Sequence, residues 1–237
     1  MSATAPRTAR GMQTRRKIIE AAEEIFAELG YTEASISRIT VRAGVGQGTF
    51  YLYFDSKLEL FNELVDDLNH RVRQAMSEAA SAAENRFDRE RAGFKAFFQF
   101  TAEHPSLYRI VREAEFVSPG ALRMHYTRIV EGYIDGLKAA KDAGELGDID
   151  PTVAAWALMG IGEMFGMRWV LWNNNESGGD ADPFGSGTSE MPDYVFDQMM
   201  LFIRGALSVR VSDVEKAAVS ARTPTPTPIA DRRTRHD

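Results

Sequence analysis

Gln47, Thr49 and Tyr51 place an amide, a hydroxyl and a phenol within five residues of one another. Such groups can donate to and accept from the edges of DNA bases, Gln pairing with adenine and Thr with several edges. Gly48 lies between them and lets the backbone come close to DNA. These groups can read bases only from a rigid element that fits a major groove. The stretch Ser35–Lys57, SISRITVRAGVGQGTFYLYFDSK, predicts one. Ser35 can cap a short helix in which Ile36, Ile39 and Ala43 recur at helical spacing. Gly44 stops it by taking a left-handed conformation at low cost. Val45 is an apolar plug inside the turn. Gly46-Gln47-Gly48-Thr49 opens a second short helix through Phe50, Tyr51, Leu52 and Tyr53. Two short helices joined by such a turn make a helix-turn-helix, with Phe50 and Phe54 turned inward.

The run T-V-R-A-G-V-G-Q-G-T-F-Y-L-Y-F-D-S-K, with R-x-x-I-I-E-A-A-E-E-I-F-A-E-L-G-Y over Arg15–Tyr31, resembles the tetracycline-repressor (TetR) family. The resemblance covers about the first quarter of the chain. Where that family usually opens its recognition segment with a small hydroxyl residue, this chain has Gly46, which removes one side-chain cap or phosphate contact. The resemblance implies an all-α protein: a helix-turn-helix head at residues 11–57, then a helical ligand-binding and dimerisation body at 58–212. It also places the phosphate-positioning residues at Ser35, Arg38, Tyr53 and Lys57, helped by Arg15 or Arg16. Lys57 stands in the first turn of a helix, where a cation opposes the helix dipole. An outside anion, a DNA phosphate, is its expected partner.

The charge distribution agrees. Residues 1–57 hold eight basic and six acidic side chains, a net +2, in a chain of net −6, so the remainder carries −8. A mildly basic head on an acidic body suits one end that meets phosphates. The chain has no cysteine, which excludes disulfides, zinc-thiolate sites and thiol catalysis and suits a reducing, cytoplasmic setting. The N-terminus has no apolar secretory core. The 237 residues can bury a sizeable core.

Residues 1–10 read as a disordered arm with two arginines. An amphipathic helix follows from about Gly11 to Leu29, with Ile18, Ala22, Ile25, Phe26 and Leu29 on its inner stripe and Gly30 ending it. Ser56 and Glu59 have capping-box spacing for a bridging helix that runs to about Ala83. Beyond Arg86 the chain is helical throughout. Pro105, Pro119, Pro151 and Pro192 each precede or open a helical stretch, where the missing N–H costs nothing. Trp172–Met191 is a polar, Gly-rich loop, and residues 213–237, with TPTPTP, form a disordered tail.

Val153–Trp172 is nearly all apolar and about long enough to span a bilayer. Glu163 and Arg168 lie inside it, at roughly 2.5–3.5 kcal/mol each in a membrane centre, and no second span exists, so it reads as a buried helix. Gly162 and Gly166 would let another helix approach, and Met200, Phe202, Ile203 and Leu207 give the last helix an apolar face. By the resemblance, residues 151–173 and 192–211 form a four-helix bundle with a second copy. From the residues alone, they fit the core of a monomer equally well. The candidate pocket residues are Phe97, Phe98, Tyr108, Phe116 and Tyr126, with Tyr133, Trp156, Met159, Glu163 and Trp169. Singly each reads as core; together they suit a wide apolar cavity. The segment HPSLYRIVREAEF and the helix ending ALMGIGEMFGMRWVLW resemble regulators of fatty-acid and aromatic-acid degradation in the same family, some of which respond to acyl-coenzyme A esters.

Gly44–Thr49 lacks the preceding strand and the Lys of a phosphate-binding loop. The four histidines have no ligand spacing, no Ser sits in a nucleophile elbow, and no metal, cofactor or catalytic residue is implied. The expectation is a homodimeric regulator, a repressor that binds inverted-repeat operator DNA and is released by a small apolar or acyl effector. The alternative is a helical small-molecule-binding or protein-interaction module without sequence-specific DNA binding.

Overall fold

The structure, a computed structural model, describes residues 8–172 and 190–210. Residues 1–7 of the expected arm, most of the Gly-rich loop and the C-terminal tail lie outside the described residues. Among the described residues the fold is all-α: α1 (Ala9–Glu33), α2 (Ile36–Ala43), α3 (Gln47–Phe50), α4 (Lys57–Ala80), α5 (Arg86–Glu103), α6 (Ser106–Val117), α7 (Pro119–Asp142), α8 (Pro151–Gly166) and α9 (Asp193–Leu207), with one π-helical stretch at Met167–Leu171. No described helix is long and apolar enough to cross a membrane.

Local chemistry accounts for most boundaries. Thr8, Ser35, Ser56, Asn85 and Asp150 each cap a helix by accepting backbone N–H bonds on the side chain. The bounds of three expected helices move. Helix α1 begins at Ala9 and extends past Gly30 to Glu33, so residues 9 and 10 are helical rather than part of an arm. Gly30 does break its geometry, at φ 76° and ψ 166°. A side chain there would be strained, and a Cβ would stand 2.6 Å from Glu113 Oε1. Helix α3 is one turn only. Tyr51–Tyr53 continue as tight turns, with Leu52 N–H on Thr49 O (3.2 Å) and Tyr53 N–H on Phe50 O (2.9 Å). Helix α4 ends at Ala80, three residues early.

Two hydrophobic cores meet at α5, where Phe97 packs against both. The first joins Ile18, Phe26, Ile39, Phe50 and Phe54 of the head to Leu60, Phe61, Leu64 and Leu68 of α4 and to Ile110 of α6. Phe50 and Phe54 are fully buried, as their placement in the sequence predicts. The second gathers Phe94, Phe98, Leu137, Leu158, Met200 and Ile203. Between them α4 and α7 are joined by a buried polar contact: the Asn69 side-chain amide donates to His125 O at 2.9 Å and lies 3.3 Å from His125 Nδ1.

Burial, aided by the charge of Arg73, lowers the His125 pKa from 6.5 to about 4. Between those values the unfolded chain takes up a proton that the native chain refuses, so stability falls as pH falls, by up to about 3 kcal/mol. Urea unfolding at pH 7 and pH 4.5 should therefore show an acid loss about 2 kcal/mol smaller in His125→Gln than in the wild type. Equal losses would contradict this reading.

Candidate nucleic-acid interface and its linked cavity

The helix-turn-helix forms as the sequence predicts, and it leaves most of the candidate reading residues exposed. Gly44 caps α2 in a left-handed conformation (φ 66°), and Val45 N–H returns to Thr40 O at 3.0 Å, which aims the next segment away from α2. Gln47, Gly48 and Tyr51 are exposed and Thr49 is partly so. Gly46 caps α3 with no side-chain bond, as expected from the missing hydroxyl. A Cβ on Gly48 would meet nothing within 4 Å, so the space in front of it is open to an approaching backbone. Leu52 was not anticipated. It is 70% exposed beside Tyr51, and such a side chain can touch a thymine methyl. Its apolar type hid it among core residues.

The basic residues divide. Arg38 is exposed and makes no ion pair among the described residues, while its backbone N–H is held by Ser35 Oγ at 3.3 Å. Ser35 is therefore a helix cap first. Arg16 is exposed but paired with Glu20 at 2.8 Å, and Arg15 is tied to Glu63 at 2.5 Å and lies over the Phe54 ring. Tyr53 is half-buried against the head core. Lys57 has partners within the protein. Its ammonium donates to Tyr31 O and Ala34 O, both at 2.7 Å, and sits 4.3 Å from the centre of the Tyr31 ring. The partners of this cation are inside the protein: it ties down the end of α1 after the Gly30 bend, and no outside anion is needed to explain it.

Helix α6 grips the same end of α1. Arg109 donates to Ala27 O, Tyr31 N–H donates to Glu113 Oε2 at 2.8 Å, and Ser106 donates to Glu23 Oε1 at 2.8 Å. Other residues of α6, namely Leu107, Tyr108, Val111 and Arg112, line a narrow, largely apolar cavity together with Val72 and Met76 of α4. One short helix thus touches both the head and the cavity. Neither Arg109 nor Glu113 stands out in sequence, because ion-forming residues on a helix usually read as a solvated face.

The cavity contains Phe97, Tyr108, Tyr126, Tyr133, Met159 and Glu163, as anticipated. Its polar end is Glu163, whose Oε1 accepts from the Tyr126 hydroxyl at 2.8 Å and whose backbone carbonyl accepts from Tyr108 at 3.1 Å. Burial raises the pKa of all three tyrosines, so they remain neutral donors. Four candidates fall elsewhere. Phe98 belongs to the second core, Phe116 is 86% exposed, Trp156 is half exposed on the outer side of α8, and Trp169 lies on the π-helical stretch away from the lining. The cavity is also narrow, about 50 Å³, rather than wide. The small face of α8 admits neighbouring helices, and these are α5 and α6 of the same subunit. A Cβ on Gly162 would stand 3.0 Å from Phe94 and one on Gly166 2.7 Å from the Tyr108 hydroxyl, so these glycines admit neighbours from the same subunit. Met200, Ile203 and Leu207 are likewise buried within the subunit.

A helix-turn-helix head rigidly packed on a helical body defines a DNA-binding transcriptional regulator. Residues 18–64 match the family of bacterial regulatory proteins, tetR family. The chain is 30% identical over 164 residues to the fatty acid metabolism regulator protein of Bacillus subtilis, spanning 60% of this chain and 82% of that one. It is 29% identical over 182 residues to the transcriptional activator FasR of Mycolicibacterium smegmatis, spanning 74% and 80%. Among solved structures it superposes on the fatty acid degradation regulator FadR of Bacillus halodurans with a TM-score of 0.63 at 19% identity, covering 81% and 92%. The chain belongs to the tetR family of transcriptional regulators.

Lys57→Ala should lower the unfolding free energy by about 1–3 kcal/mol, because two backbone carbonyls lose a charged donor. The salt dependence of DNA binding should be unchanged. Intact stability with a salt slope smaller by about one unit would return Lys57 to the phosphate contacts.

Proposed function

We propose that the protein binds an inverted-repeat operator as a homodimer, represses transcription there, and is released when a small apolar or acyl effector enters the body. Gln47, Thr49 and Tyr51 read base edges from the major groove, with Gly48 admitting the backbone, and Arg38 leads the phosphate contacts. The protein acts in the cytoplasm, on chromosomal DNA.

The observation that carries the dimer is the outer face of α8 and α9. Val153, Trp156 and Met164 on α8, and Tyr194, Leu201 and Phe202 on α9, are large apolar side chains each about half exposed or more. Gly160 and Gly205 lie on the same helices, and a Cβ on either would meet nothing within 4 Å. Large apolar side chains left exposed on one face of each helix mark an interaction surface, and a second copy of the two helices buries them as a four-helix bundle. Two heads on one two-fold axis then read two half-sites at a fixed spacing.

The effector reading rests on the narrow cavity and on α4. A site of about 50 Å³ is far below the roughly 300–1,000 Å³ of ordinary small-molecule sites. An occupant must displace Val72 and Met76 of α4 or Leu107 and Val111 of α6, and both helices hold the head. The effector therefore favours a conformation with displaced heads, and its differential affinity for that conformation sets the size of the response. An acyl effector suits the apolar lining and the fatty-acid roles named for two of the proteins this chain resembles.

Sedimentation tests the dimer. The wild type should run as a dimer at micromolar concentration. Trp156→Glu/Phe202→Glu should run as a folded monomer whose operator affinity falls by about 10²–10⁴-fold, since two linked heads act through their effective concentration. A monomeric wild type with full operator affinity would overturn the proposal.

A further inference from the structure

Phe116 lies at the end of α6 with its ring 86% exposed, more than any other large apolar side chain among the described residues. It stands at an open groove of about 850 Å³ between α6 and the end of the α8 run, lined also by Met167, Leu171 and the half-exposed Trp172. Arg112 of α6 donates to Met167 Sδ at 3.3 Å and ties the two walls together. One subunit thus carries an aromatic ring left in solvent and, beside it, an apolar groove that this ring does not fill. Aromatic rings and methionines exposed side by side mark a contact surface rather than a solvated one.

The groove continues the outer face of α8. Val153, Trp156 and Met164 are exposed along that helix, and Trp172 is exposed where its π-helical extension ends. Helix α8 runs alongside α5 in the same direction, with Gly162 against Phe94 and Gly166 against Phe97. Helix α9 runs back, with Phe196 against Phe98 and Arg204 over Phe87. The exposed Tyr194 at the start of α9 therefore comes level with the end of α8. Ala27 of α1 also lines the groove, so this is the end of the surface nearest the head.

We infer that the contact between two copies extends past α8 and α9 to Phe116, whose ring enters the groove of the second copy while that copy's ring enters this one. The inference rests on the dimer reading above and adds to it a contact made by α6. A two-fold axis makes a ring and an adjacent groove complementary, because each copy offers both. The contact also reaches the DNA-reading end. Helix α6 holds α1 through Ser106, Arg109 and Glu113. Each head is then braced against the opposite subunit through α6, and the separation of the heads depends on both copies.

The chain has no cysteine, so single introduced thiols report on this contact in the full-length protein. The thiol of Phe116→Cys should react with a maleimide about tenfold more slowly in the dimer than in the monomeric Trp156→Glu/Phe202→Glu background. Phe116→Cys and Trp172→Cys subunits, mixed and oxidised, should form a covalent mixed dimer. Fast labelling, or no mixed dimer, in a protein that sediments as a dimer would overturn the Phe116 contact and leave the α8–α9 dimer standing. Slow labelling in both backgrounds would overturn it as well, because the ring would then be covered within one chain. A wild type that sediments as a monomer would overturn both readings. Phe116→Ser should remain a dimer and bind an isolated half-site as the wild type does. Its loss of affinity when the operator halves are moved apart by about two base pairs should be about tenfold smaller than that of the wild type. An unchanged loss would overturn the brace between α6 and the heads.

Discussion

The structure depends on α4 being one unbroken helix that runs from the head core to the cavity wall. Its first half buries Leu60, Phe61, Leu64, Val65 and Leu68 completely against the head. Its second half brings Val72 and Met76 to the cavity wall. From Leu60 to Met76 is about 24 Å of helix at 1.5 Å per residue. No joint separates the two ends, so a displacement at the cavity is carried to the head as a tilt of the whole element. A close-packed interior passes such a displacement on rather than absorbing it.

Two further contacts make the head follow. Lys57, at the first turn of α4, holds the carbonyls of Tyr31 and Ala34, while Arg109 and Glu113 of α6 hold the same end of α1. The bend at Gly30 is what exposes those backbone groups to side chains from two other helices. Head, α4 and α6 are therefore tied together at the end of α1. In a dimer built on α8 and α9, that movement becomes a change in the distance between two DNA-reading heads.

Much of this was legible in the sequence, for reasons that differ by element. The helix-turn-helix is local: Ser35, Gly44 and the phenylalanines at 50 and 54 act within a few residues, and each does what its chemistry dictates. The helix starts at Pro119, Pro151 and Asp193 follow from nearby prolines in the same way. Long-range partners were not legible. Lys57 reads as a cation in search of an anion because its two carbonyl partners lie 26 and 23 residues away and carry no side-chain signature. On α8 nearly every residue is apolar, so periodicity does not distinguish Met159 on the cavity wall from Trp156 on the outer face. Aromatic content suggested a wide pocket, but the same rings pack together and leave a narrow one.

The central claim is that two identical heads, held apart by the body, read DNA together. Selection of bound fragments from a random DNA pool by the purified full-length protein tests it most directly. An inverted repeat with one fixed spacing between its halves should be enriched. Enrichment of an isolated half-site, or no sequence preference at low salt, would contradict it.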